Sequence, residues 1–213
     1  LAGVGLAALL WAWLELRARI WQPAAASARL AELQSRIRPH FLFNTLNSAI
    51  ALVRAEPAQA EAVLEDLSEL FRHALADPAE SVTLAQEIEL AQRYLAIEQV
   101  RFGERLRVEW SLDPEADQAR LPPLLLQPLV ENAVRHGVEP SASGAQVKVS
   151  TLRHGGTVVI KVTNSVPASA GKRGNGLALA NVRERLFLLH DVQAQFRAVF
   201  KNGLFQVRLE VPA

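Results

Sequence analysis

The apolar residues of this chain change their period near Gly103, and that change limits the fold more than any other feature. Before it they recur at helical spacing over about 24–54, 58–76 and 84–101; after it come five short stretches of strand character. Only Glu56-Pro57 separates the first two helices, and so short a break predicts an antiparallel hairpin. The second helix is expected to bury Val63, Leu64, Leu67, Leu70, Phe71 and Leu75. Each helix carries more apolar surface than one partner can cover, which predicts that two hairpins join as a four-helix dimer. Asp77-Pro78-Ala79-Glu80 reads as a linker, and Thr83 with Gln86 has the spacing of a capping box that opens the third helix.

The strand patterns fall at 106–112, 147–152, 158–163, 195–200 and 204–211. Lys201-Asn202-Gly203 predicts a tight hairpin between the last two, because Asn-Gly tolerates positive φ. Two helices are interleaved, a buried one over about 125–136 closed by Gly137, and another over 177–190. The expected class is therefore α+β: a helical hairpin followed by a two-layer sandwich of strands and helices.

Within the first helix Leu33, Ile37, His40, Asn44 and Asn47 are spaced by four, three, four and three residues, so they draw one stripe that turns polar at the histidine. A neutral imidazole keeps a nitrogen lone pair at neutral pH and can attack phosphorus. Asn44, one turn further on, is placed to orient water toward a phosphoryl group on His40. Pro39 disfavours helical geometry at Arg38 and predicts a bend just before the histidine. The plainer reading of the same stripe is a seam whose polar residues only set helix register.

A second constellation lies in Pro122-Pro123-Leu124-Leu125-Leu126-Gln127-Pro128-Leu129-Val130-Glu131-Asn132-Ala133-Val134-Arg135-His136-Gly137. Glu131, Asn132, Arg135 and His136 crowd the end of an otherwise apolar element, and burying such groups without partners costs roughly 1 to 3 kcal/mol each. An Asn oxygen suits Mg²⁺, and Arg135 or His136 suits phosphate oxygens. An amphipathic helix with a wet polar face is the alternative. The loop Gly171-Lys172-Arg173-Gly174-Asn175-Gly176 then feeds a helix, an arrangement that lets backbone N–H groups approach an anion.

Composition narrows the function classes. Lys and Arg total 23 against 22 Asp and Glu, which leaves no basic footprint for direct nucleic-acid binding. The absence of cysteine excludes disulfides and thiolate metal sites and suits a cytoplasmic setting. The opening apolar run to Leu14, with Trp11 and Trp13 and then Arg17 and Arg19, spans about 21 Å as a helix against a hydrocarbon core of roughly 30 Å. It reads as the end of a truncated membrane helix with the following chain on the cytoplasmic side; a buried core helix is the other reading.

Four boxes taken in series resemble the LytS-type sensor histidine kinases, within them an AlgZ/FimS-like subgroup. They are Arg38-Pro39-His40-Phe41-Leu42-Phe43-Asn44-Thr45-Leu46-Asn47, Tyr94-Leu95-Ala96-Ile97-Glu98 with Arg101-Phe102, Leu126 to Gly137, and Gly174 to Leu186. The resemblance runs from Leu33 to Pro212. It implies a membrane helix end and juxtamembrane segment at 1–22, a dimerising histidine-phosphotransfer hairpin at 23–80, and an ATP-binding sandwich of the GHKL (Bergerat) type at 81–213. It implies an inner-membrane, homodimeric kinase of a two-component system. His40 would take the γ-phosphate of ATP and pass it to an aspartate on a response regulator, one with a LytTR-type DNA-binding domain. Asn132, with Glu131, would hold Mg²⁺; Arg135 and His136 would contact phosphates. Gly174, Gly176 and Leu177 would form the second glycine box, and 165–173 a flexible lid.

Three departures from the family pattern stand out. Asn164, in Val162-Thr163-Asn164-Ser165, occupies the place of the aspartate that binds the adenine amino group, and a neutral acceptor binds it more weakly. Pro128 stands where the first metal-box Asn is common, which shifts metal binding toward Asn132 and Glu131. No acid follows His40, leaving Glu98 and Glu131 as candidate proton acceptors. Two rivals follow: an ATP-hydrolysing module of the gyrase/Hsp90/MutL type, which needs no phosphoacceptor helix, and a dimeric scaffold that binds a regulator without ATP. His73, His154 and His190 read as surface residues outside any box, and Arg183 and Arg185 as a salt-bridge face around Glu184.

Overall fold

The computed structural model describes residues 39–75, 81–167 and 177–213. Its backbone divides into two compact units, Leu1–Phe43 and Asn44–Ala213. The membrane segment, the bend at Arg38, the linker at 77–80 and the glycine loop lie outside the described residues. No helix among the described residues is long and apolar enough to cross a membrane.

Helix α1 (Pro39–Leu52) is followed by α2 (Pro57–Leu75), whose Pro57 sits in the first turn, where a missing N–H costs nothing. The buried stripe of α2 is Ala60, Val63, Leu67, Leu70 and Ala74, at intervals of three and four. Here the sequence reading needs correction: Leu64 and Leu75 are exposed and Phe71 is only half-buried. The buried stripe is carried partly by small alanines, and α2 packs on α3 (Leu84–Phe102), while Leu64 joins Val53, Pro57 and Ala60 along a shallow apolar groove. Arg93 of α3 fixes the α2–α3 packing, donating to Asp66 at 2.8 Å and to Glu89 at 2.8 Å.

The expected capping box opens α3, with Thr83 Oγ1 accepting from Gln86 N at 3.3 Å and Gln86 Oε1 accepting from Thr83 N at 2.9 Å. Gly103, at φ 55°, closes it. Two short strands, β1 (Val82–Thr83) and β3 (Arg120–Leu121), pair antiparallel; at two residues each they leave no period to read.

The main sheet comprises β2 (Leu106–Ser111), β4 (Ala145–His154), β5 (Thr157–Ser165), β6 (Gln195–Lys201) and β7 (Leu204–Pro212), in the order β2-β4-β5-β7-β6. Only the β2–β4 pair is parallel. The β6–β7 turn is the predicted tight one, with Lys201 opposite Leu204 and positive φ at Asn202 (54°) and Gly203 (73°). Alternation sends Val147, Val149, Ile160, Val162, Val207 and Leu209 to one buried face. Helices α3, α4 (Gln127–Ala133) and α5 (Leu177–His190) form the layer over that face, contributing Leu84, Leu95, Leu126, Leu129 and Leu186 to the core. The chain thus has the expected α+β class, helices followed by a two-layer sandwich.

Candidate nucleotide and phosphotransfer residues

Helix α4 does not continue as a regular helix to a glycine stop. From Val134 to Val138 the backbone widens into a π turn, with the Glu139 N–H donating to Val134 O at 3.0 Å. Gly137 does not close the helix through a left-handed backbone. A Cβ there would lie 2.7 Å from Ser165 O and 2.9 Å from Asn164 Nδ2, so glycine is required because the turn rests directly on the end of β5. That contact sets the segment carrying Arg135 and His136 beside Asn164. Arg135 is exposed, while Asn132 and His136 are half-buried.

Asn164 lies on the inner face of β5, opposite Val147, and is only 2% exposed. Its amide donates to Ser165 O at 3.1 Å, which leaves the carbonyl end as the acceptor that an adenine amino group requires. Of the lid segment 165–173, residues 168–173 lie outside the described residues. Ser165 still belongs to β5, its Oγ accepts from Gln146 N at 3.0 Å, and Val166 N–H donates to Gly203 O at 2.8 Å. Gly174 and Gly176 lie outside the described residues, and Leu177 opens α5.

Gln127, just before Pro128, donates to Glu131 Oε1 at 3.1 Å and so orients that carboxylate. Behind it Glu98 is buried, with Arg101 Nη2 2.8 Å from its Oε2 and 3.0 Å from Glu139. The Arg101–Glu98 approach is close but poorly aligned, since Glu98 Oε2 and Arg101 Nε both lack a hydrogen bond. Burial pushes the Glu98 carboxyl up to about 7; Arg101 pulls it down, and Glu139 and Glu131 add to the rise. Arg101 also lies over the Phe102 ring at 4.2 Å, and Arg105 flanks that ring at 5.4 Å while donating to Ser141 O at 2.8 Å. The Tyr94 to Phe102 box therefore braces the far end of the π turn.

Among the described residues no three His, Asp or Glu side chains gather as a metal site. Mg²⁺ with a polyphosphate needs only one or two protein oxygens, and the amide oxygen of Asn132 with the Glu131 carboxylate is a hard donor set of that kind.

His40 is exposed on α1, and Asn44 follows one turn later, half-buried; Thr45 and Ala49 make the buried side. His73 Nδ1 lies 3.0 Å from Glu69 O, within its own helix. His190 is not simply solvated: its Nε2 lies 2.8 Å from Arg120 O, which ties the end of α5 to β3. The Arg185 guanidinium donates to Pro123 O and, at 3.4 Å, to Leu124 O. Arg183 lies 5.6 Å from the centroid of the Phe187 ring.

Glu87 is the residue most easily missed. It is 1% exposed on α3 and accepts the N–H groups of Leu124 (2.5 Å), Leu125 (2.7 Å) and Leu126 (2.8 Å). Its sequence signal is a carboxylate at helical spacing within the apolar stripe of Leu84, Ile88 and Ala91, where a solvated charge has no place.

The sequence profile of the histidine kinase family matches residues 28–106. The sensor histidine kinase BtsS of Escherichia coli K12 is 37% identical over 158 residues, covering 72% of this chain and 28% of BtsS. Sensor histidine kinase YpdA of the same strain is 36% identical over 200 residues, covering 88% of this chain and 35% of YpdA. Sensor protein LytS of Bacillus subtilis 168 is 33% identical over 205 residues, covering 89% of this chain and 35% of LytS. The chain thus spans about a third of the length of the curated relatives it matches. Among solved structures, the Acinetobacter baumannii histidine kinase AdeS aligns with a TM-score of 0.47 at 15% identity, covering 86% of this chain and 94% of that one. With four boxes in family order and this degree of identity to kinases of the LytS group, the chain belongs to the LytS-type sensor histidine kinase family.

Proposed function

We propose that this chain is the phosphotransfer and ATP-binding part of a two-component sensor kinase, which phosphorylates itself on His40 and passes the phosphoryl group to an aspartate of a response regulator. The observation that carries this reading is the exposed imidazole of His40, on a helix with Asn44 one turn later, in a chain that also holds the Asn132 box. In the forward step an imidazole nitrogen attacks the γ-phosphorus, the bond to the bridging oxygen breaks, ADP leaves and the ring sheds a proton. Arg135 and His136 would bind and orient the phosphates, Asn164 would accept the adenine amino hydrogen, and Gly174, Gly176 and Leu177 would border the nucleotide. Asn132 and Glu131 would hold Mg²⁺, which offsets phosphate charge when bound. Asn44 would orient water for the reverse, hydrolytic chemistry on the regulator.

The domain reading keeps 23–80 as the dimerising hairpin and 81–213 as the ATP-binding part. Phe43 (64% exposed) and Ile50 (70%) lie two turns apart on α1, with Val53 (54%) just beyond its end, and this apolar surface supports a homodimer of hairpins. The apolar run before Leu14, followed by arginines, supports a tether in the inner membrane with the catalytic part on its cytoplasmic side. A LytTR-type regulator is the partner the family suggests.

The burial of Asn164 favours one rival, a dimeric scaffold that binds a regulator without ATP. Incubation with γ-labelled ATP and Mg²⁺, beside His40→Gln, decides between them. Acid-labile, base-stable label that is lost in the variant is the expected result. Phosphate release unaffected by the substitution indicates a hydrolase, and absence of nucleotide binding indicates the scaffold.

A further inference from the structure

We propose that Glu87 and Arg185 together clamp the backbone of the loop 122–126, making them positioning residues that set the nucleotide-binding face of α4 from α3 and α5 together. The inference rests on the ATP-binding reading above.

Three consecutive N–H groups, those of Leu124, Leu125 and Leu126, point to one carboxylate that comes from a different helix. They belong to the loop that leads into α4, whose N-cap Leu126 makes no side-chain cap of its own, so Glu87 satisfies from another helix the N–H groups of the chain entering α4. Arg185, from α5, donates to Pro123 O and Leu124 O. Leu124 is therefore held at both ends of its backbone, N–H by Glu87 and carbonyl by Arg185. It has φ 55°, a left-handed conformation that a leucine rarely adopts and that persists only when its surroundings impose it. The Arg185 charge also acts on Glu87, partly opposing the rise that burial imposes on the carboxyl.

The clamp joins two elements with nucleotide roles. Asn132 lies on α4, within two turns of the loop, and Arg185 lies two turns into α5, which follows the glycine loop directly. An apolar residue at position 87 would fill the same space at lower desolvation cost, so a buried carboxylate here serves to fix the loop rather than only to pack it.

The test measures binding of a fluorescent ATP analogue with Mg²⁺ to the whole chain, for wild type, Glu87→Gln, Arg185→Lys, Arg185→Met and the double variant Glu87→Gln/Arg185→Met. Folding is followed by circular dichroism. Affinity is expected to fall about tenfold in Glu87→Gln and in Arg185→Met, with substantial rescue in Arg185→Lys and no further loss in the double variant. Wild-type affinity in a folded Glu87→Gln or Arg185→Met overturns the proposal, as do losses that multiply in the double variant. Should Glu87→Gln not fold, Arg185→Met with its lysine counterpart decides alone, since the half-buried methylene stem is retained. A wild-type chain that binds no analogue overturns the ATP-binding reading itself, and the clamp with it.

Discussion

Replacing Glu98 by Gln should make this protein less sensitive to pH, and above neutrality more stable. The side chain is 3% exposed, and its carboxyl is raised from the usual 4.5 to about 7, chiefly by burial, against the pull of Arg101 at 2.8 Å. In the unfolded chain the same group ionises near 4.5, so between 4.5 and about 7 the folded state holds a proton that the unfolded state has lost. Stability contributed by this residue is therefore complete below the lower value, declines as pH rises through the window, and levels off above it. At about 1.36 kcal/mol for each pH unit, the loss reaches about 3 kcal/mol at most. Glutamine imitates the protonated acid, so the variant should match the wild type near pH 4 and exceed it by up to about 3 kcal/mol at pH 8. Urea unfolding of both proteins across that range measures the difference, with other titrating groups cancelling between them. A difference that stays constant with pH refutes the reasoning. A variant less stable at pH 8 shows that Arg101 holds Glu98 charged and that the ion pair outweighs burial.

Two further outcomes follow from the fold. Gly137→Ala forces a Cβ to 2.7 Å from a backbone oxygen, which should cost about 1 to 3 kcal/mol and lower Tm by about 2 to 4 °C for each kcal/mol. An unchanged Tm in a thermal scan means that the end of β5 yields without cost. Ile50→Arg puts a charge on the most exposed large apolar residue of α1, and in a symmetric dimer it does so twice, so association should weaken about 100-fold or more. Sedimentation equilibrium checks this; a wild-type monomer, or a variant dimer of undiminished affinity, removes the hairpin interface.

Local chemistry made much of the architecture legible. Thr83 and Gln86 satisfy each other across one turn, Gly103 stops α3, and Asn202-Gly203 accepts the positive φ of a two-residue hairpin; each needs only neighbouring residues. The same holds for the five main strands, which end within three residues of their expected bounds because the pleat alternates buried and exposed side chains. The choice of buried face on α2 was less legible: Ala60 and Ala74 are inside while Leu64 and Leu75 are not, so hydrophobicity alone does not choose the face.

Sequence by itself determined the helices before Gly103, the strand series, the order of the boxes and the imidazole of His40 as the reactive group to test. Tertiary structure alone decided why Gly137 is glycine, that β2 runs parallel to β4, and what Glu87 and Arg185 hold. The reason is separation: Glu87 meets a backbone N–H 37 residues away and Arg185 a carbonyl 62 residues away. Hydrogen bonds to main-chain atoms read no side-chain identity in their partner, so no local pattern announces them, and only the folded chain brings donor and acceptor together.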